Sequence, residues 1–212
     1  MNEIVFALVG AFLAMDAVVF GQFGFSRPIV CGPVAGFLVG DPVMGLRVGV
    51  ILELIWINTI PIGTTLVPDV AVASLLSVFW SSALVRCGAP EGVAVVLSMG
   101  LALPVSMIFR KLDLRQRARM SRFNARLQTQ LENGDFSAPA RVVLRSAAEH
   151  FFRNAALFFA SLMLSPLFCS LSMVLPRAVS EGLGFSYLML PAVGLGVFFY
   201  NFYDSVFRVV KK

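Results

Sequence analysis

The sequence predicts an all-α integral membrane protein, a multi-span helical bundle with broken or re-entrant helices near residues 28–69. Three observations carry this reading. The chain is 58% hydrophobic and 14% charged, with a mean hydropathy of +0.84, whereas a soluble domain is roughly half apolar and a quarter charged. Apolar runs of membrane-crossing length recur along it. Between residues 28 and 69 those runs are instead chopped by proline, glycine and acidic residues.

A crossing helix needs roughly 20 mostly apolar residues. The opening stretch, MNEIVFALVGAFLAMDAVVF, carries Glu3 where a secretory signal has a basic segment and lacks a clear small-residue cleavage site. It reads as a retained first crossing over about 4–25. PIVCGPVAGFLVGDP is too short to cross comfortably and ends at Gly40-Asp41-Pro42. VMGLRVGVILELIWINTI is long enough but contains Arg47 and Glu53. Lipid does not tolerate interrupted backbone; a protein-lined cavity does. Further crossings are expected at about 68–87, 91–109, 152–176 and 183–207, the last two as a hairpin whose connection near Pro176–Gly184 faces outward.

Three regions follow: an N-terminal membrane region over 1–109, a basic amphipathic loop over 110–151, and a C-terminal membrane hairpin over 152–212. Residues 110–153 hold ten of the 17 Lys+Arg and four of the 12 Asp+Glu, a net +6 against +5 for the whole chain. The basic pI thus belongs to this segment. Positive charge between crossings marks the cytoplasmic side, so nucleic acid is set aside as a partner and the loop and the C-terminus, with Arg208, Lys211 and Lys212, are expected in the cytoplasm. Met120, Phe123, Leu127 and Leu131 recur at helical steps among arginines, which predicts a surface helix over 110–132 against lipid headgroups or a partner.

Gly32, Gly36 and Gly40 fall at four-residue steps, as do Gly45 and Gly49. In membrane helices this spacing lets backbones approach closely. In a helix, Gly45, Gly49 and Glu53 share one face, so the stripe runs into a carboxylate. An unpaired charge at membrane depth costs at least about 2.5–3.5 kcal/mol. Glu53 is therefore either paired or used, and Arg47, six residues away, is poorly spaced to pair with it.

The break after it reads as a site. Pro61 removes a donor, Gly63 permits a turn, and Pro68 precedes Asp69. Glu53, Asn58 and Asp69 then gather as hydrogen-bonding groups suited to a polyhydroxyl ligand, with Asp16, Gly40, Asp41, Pro61, Gly63 and Pro68 shaping the site. The competing reading, equally open from these residues, is that Asp69 caps the next helix and Glu53 pairs with a buried arginine. No catalytic residue, metal site or cofactor is expected. His150 is the only histidine, no G-x-x-x-x-G-K-[ST] loop occurs, and the three cysteines, Cys31, Cys87 and Cys169, are scattered and odd in number. That argues against disulfides and for buried apolar roles.

Residues from Met15 to Leu76, with Asp16, Phe23, Arg27-Pro28, Gly32, Gly36, Gly40-Asp41, Gly45, Gly49, Glu53-Leu54, Ile62-Gly63 and Pro68-Asp69 in order, followed by ASLLS, resemble the enzyme IIC membrane subunit of the mannose/fructose/sorbose family of bacterial phosphotransferase systems. NGDFSAPARVVL is similar to that family's sequence after its cytoplasmic helix. The resemblance implies a sugar-translocating channel of the bacterial inner membrane working with a IID membrane subunit. It implies that cytoplasmic IIA and IIB proteins supply phosphate, with phosphoryl transfer on IIB and not on this chain. It also implies further hydrophobic segments after FFYNFYD, where this chain ends at Lys212. Two other readings stand beside it: a substrate-binding subunit of another importer class, which the broken segment 58–69 disfavours, and a shortened regulatory or assembly homologue.

Overall fold

The computed structural model describes residues 3–19, 21–57, 68–121 and 136–210. Eight helices run through them: α1 Glu3–Met15, α2 Pro28–Val39, α3 Pro42–Trp56, α4 Val70–Arg86, α5 Glu91–Ser121, α6 Ala138–Leu162, α7 Ser165–Val174 and α8 Arg177–Val210. Among the described residues, three stretches are long and apolar enough to cross a membrane: Glu91–Met120, Ala138–Val174 (α6 with α7) and Arg177–Tyr200. The first four helices have 13, 12, 15 and 17 residues. At 1.5 Å per residue each falls short of the roughly 30 Å hydrocarbon layer. The broken region expected from the sequence is thus a pair of half-length antiparallel helices, α2 and α3.

Backbone contact holds that pair together. A Cβ on Gly32 would strike the Gly45 carbonyl and lie 2.7 Å from Gly49 Cα, and one on Gly36 would lie 2.7 Å from the Asp41 carbonyl oxygen. The two glycine series face each other, and only hydrogen fits between the chains. The turn joining them is made by Gly40, left-handed at φ 84°, whose N–H bonds back onto α2, and by Asp41, which accepts from Met44 N at 2.9 Å to cap α3.

α4 is apolar or small on every side, and thirteen of its residues are buried, as expected for a helix packed all round. It touches α1, α2, α3, α5, α6 and α7. Trp80 donates to the Ser161 carbonyl at 3.3 Å and stands edge-on to Phe168 at 4.7 Å. Ser77 and Ser81 each return their hydroxyl to the carbonyl four residues back at 2.6 Å, which satisfies them without a partner helix.

Several sequence expectations are corrected. The first helix stops at Met15, not near residue 25, because the Asp16 carboxylate gathers the following backbone into a loop. The basic segment does not begin a new element at residue 110: α5 continues unbroken to Ser121, since RKLDLRQRARMS contains neither proline nor glycine. Residues 122–135, with Phe123 and Leu127, lie outside the described residues. α8 begins at Arg177, directly after Leu175-Pro176, so the last connection is shorter than expected. Cys87 and Cys169 form a disulfide with their Cα atoms 6.0 Å apart, and Cys31 alone is a free, buried thiol. The pairing joins the end of α4 to α7 across 82 residues, a proximity that scattered spacing cannot reveal.

The basic extension of α5 is tied to the middle of α6. Buried Asp113 pairs with Arg153. Arg153 also reaches Gln116, the Leu112 carbonyl at 3.3 Å, His150 Nδ1 at 3.0 Å and Asn154 Oδ1 at 3.1 Å. Asn154 Nδ2 meets His150 Nε2 at 3.0 Å. His150 is thereby a structural member of a buried network.

The glycine contact makes a clean prediction. Alanine normally favours a helix over glycine by up to about 1 kcal/mol. Gly100→Ala, where a Cβ meets nothing within 4 Å, should hold or raise the unfolding temperature in detergent. Gly45→Ala should lower stability by about 1–3 kcal/mol through overpacking. Equal shifts at both positions would remove the claim.

Candidate functional site: a polar pocket at the α2, α3 and α4 ends

The glycine stripe ends at Glu53. One turn beyond Gly49, its carboxylate reaches the start of α2, pairs with Arg27 and accepts from Ile29 N at 3.3 Å. The Arg27 side chain does not cap that helix, so Glu53 supplies the negative charge that a helix N-terminus favours. Arg47, on the same helix, instead meets Glu91 of α5 at 2.7 Å, and Tyr187 of α8 donates to that carboxylate at 3.2 Å. The charges of α3 therefore serve opposite ends of the bundle.

The loop between α1 and α2 is built around Asp16. Its carboxylate accepts from Phe23 N at 2.9 Å, Gly24 N at 3.0 Å, Ser26 N at 3.1 Å and the Ser26 hydroxyl at 3.2 Å. Gly21, Gln22 and Gly24 take positive φ, which two glycines permit and which turns successive N–H groups toward one acceptor. Asp69 caps α4 by accepting from Val72 N at 3.0 Å.

These pieces surround one cavity of about 480 Å³, lined by Gln22, Gly24, Ser26 and Arg27 from the loop, Glu53 and Trp56 from α3, Pro68 and Asp69 ahead of α4, and Arg110 and Arg117 from α5. The volume falls within the range of small-molecule sites. Of the residues singled out in the sequence, Glu53, Pro68 and Asp69 are brought together here, and Asp16 holds the loop that forms one wall. Gly40 and Asp41 lie at the other end of the α2–α3 pair. Asn58, Pro61 and Gly63 lie outside the described residues. Sequence reasoning missed Arg27, Trp56, Arg110 and Arg117 as lining. Arg27 carried a legible signal, a charge set beside proline at the head of an apolar run. The α5 arginines were absorbed into the topology signal.

Among the described residues no group of His, Cys, Asp and Glu is arranged to hold a metal ion. What the pocket offers is carboxylate and amide acceptors, backbone polar groups, an indole face and guanidinium donors, a set suited to a hydroxyl-rich molecule bearing or gaining negative charge.

Removing the Asp16 carboxylate should loosen this wall. Asp16→Ala should raise amide hydrogen exchange at Phe23 and Gly24 and cost about 1–3 kcal/mol, the penalty for stranding donors, while Glu149→Ala on exposed α6 should change neither. Unchanged exchange in Asp16→Ala would show the loop holds without it.

The profile of the family described as "PTS system sorbose-specific iic component" matches residues 1–203. The mannose-specific EIIC component of the phosphotransferase system of Escherichia coli K12 is 25% identical over 194 residues, covering 91% of this chain and 70% of that protein. A solved chain titled "Structure of membrane protein" superposes with a TM-score of 0.73 at 21% identity, covering 99% of this chain and 84% of that one. A chain from the cryo-EM structure of the mannose transporter ManYZ with microcin E492 gives a TM-score of 0.63 at 22% identity, covering 99% and 79%. Those two likenesses speak to fold. With the profile match across nearly its whole length, this chain belongs to the sorbose-type IIC family of phosphotransferase-system membrane components.

Proposed function

We propose that this chain is the sugar-translocating IIC subunit of a PEP-dependent phosphotransferase system, acting in the bacterial inner membrane with a IID-like subunit and a phosphorylated cytoplasmic IIB protein charged by IIA. The observation that carries the reading is the convergence of Glu53 and Asp69 on one cavity beside a loop of exposed backbone. Each carboxylate already holds a helix end, so each is oriented before ligand arrives and retains acceptor capacity toward the cavity. Asn58, in sequence between them, is proposed as a third contact. The chain supplies binding and passage, and IIB supplies the phosphoryl chemistry.

The three regions, 1–109, 110–151 and 152–212, are proposed as functional divisions and not as breaks in the helices, since α5 and α6 run through both boundaries. The pocket end is proposed to face the cytoplasm. Two independent signals support this. The described parts of the basic segment, 110–121 at net +4 and 136–153 at net +2, lie at that end. The Cys87–Cys169 disulfide lies at the other: α4 runs from Asp69 at the pocket to Cys87, and α5 returns from Glu91 to Arg110. Disulfides persist in oxidising compartments and are rare in the cytoplasm.

Mannose is the first sugar to test, because the relative covering most of the chain is named for it. In the reconstituted complex, Glu53→Gln and Asp69→Asn should each weaken sugar binding about tenfold to over a hundredfold, the equivalent of roughly 1.5–3 kcal/mol for a charge-assisted bond. Normal binding by protein of reduced stability would make both carboxylates purely structural.

Orientation is checked by labelling. The native chain should resist an impermeant thiol reagent in intact cells, and two cysteines should become reactive only after reduction. Arg119→Cys should label only once the membrane is opened. Labelling of Arg119→Cys from outside would invert the topology.

A further inference from the structure

Among the described residues, the charges lining the pocket do not balance, and α5 contributes two of its three guanidinium groups. Glu53 is committed to Arg27 and to the start of α2. Asp69 is committed to the start of α4, and Arg110 is among its charged neighbours. Arg110 and Arg117 of α5 share the lining, giving three guanidinium groups against two carboxylates among its described residues. Seven residues apart, the two arginines lie on one face of α5 two turns apart, about 10 Å along the axis. Arg117 lies farther along the extension and is exposed, whereas Arg110 is partly buried.

From this geometry we infer that Arg110 and Arg117 form a phosphoryl seat in the pocket, engaging the phosphate of a sugar phosphate while Glu53 and Asp69 engage its hydroxyls. The inference rests on the proposed sugar site and extends it to the phosphorylated form. Guanidinium groups suit this task, because their planar donors match phosphate oxygens in pairs. Sugar hydroxyls can accept from these guanidinium groups, but a phosphate ester also offsets their positive charge. The inference concerns binding alone, and no bond is made or broken by these residues.

The test uses the full complex with its IID-like partner in nanodiscs of zwitterionic lipid, so that no lipid phosphate monoester or anionic headgroup competes. Mannose, mannose 6-phosphate and inorganic phosphate are titrated separately. The native complex should bind mannose 6-phosphate at least as tightly as mannose. Arg110→Gln with Arg117→Gln should lower the ratio of ester affinity to sugar affinity at least tenfold, and the corresponding double lysine variant should recover part of it. Arg145→Gln, on the exposed face of α6, should leave the ratio unchanged. Measurable mannose binding by the double glutamine variant doubles as its folding check; if it does not fold, Arg117→Gln alone should still lower the ratio. If mannose binds but the ester does not, or if the ratio is unmoved by the substitutions, the phosphoryl seat is overturned while the sugar site stands. If the ester binds with arginine dependence but mannose does not bind, the seat stands and mannose is excluded as the sugar. If none of the three ligands binds the native complex, both readings fall.

Discussion

Two backbones in contact at Gly32, Gly36, Gly45 and Gly49 set the depth and direction of nearly everything at the pocket. Neither α2 nor α3 is long enough to cross a bilayer alone, so neither is fixed by hydrophobic thickness. What fixes them is each other. Because only hydrogen fits between the chains, the helices cannot slide or rotate without a backbone clash. Glu53 continues the Gly45–Gly49 face by one further turn, so the same contact that seals the pair presents the carboxylate to the first turn of α2. Arg27 and Ile29 N are then within reach, and the loop before them, folded around Asp16, becomes the next stretch of pocket wall.

Among the described residues, the ionised groups within the apolar body commonly have a committed partner or hold a helix end. Arg47 has Glu91 and Asp113 has Arg153, while Asp16, Asp41 and Asp69 accept from backbone N–H groups. Desolvating a charge without such compensation is expensive. Arg110 and Arg117 instead line the cavity, where a ligand can offset their charge. The pocket thereby brings carboxylates at helix ends together with guanidinium groups from α5.

The two ends of the bundle differ chemically. The pocket end carries the basic continuations of α5 and α6, tied by the Asp113–Arg153–His150 network. The opposite end carries the disulfide and the Arg47–Glu91–Tyr187 cluster, which links α3, α5 and α8. A bundle whose early helices are short gains rigidity from such ties between its long ones, and the pocket sits where long and short helices meet.

The sequence by itself determined the features that depend on neighbours a few residues apart. Apolar run length gave the membrane class, four-residue glycine spacing gave the close helix pair, Pro-Asp offered one reading of Asp69 as a helix start, and a charged segment gave the sidedness signal. The tertiary structure decided every pairing across long separations. Glu53 takes Arg27, 26 residues before it, while Arg47 crosses to Glu91. Cys87 finds Cys169, and Arg110 and Arg117 reach the pocket from a segment that composition marks only as basic. Helical periodicity says which face a side chain occupies, but which neighbour that face meets depends on how eight helices exclude one another in three dimensions, and no local spacing encodes that.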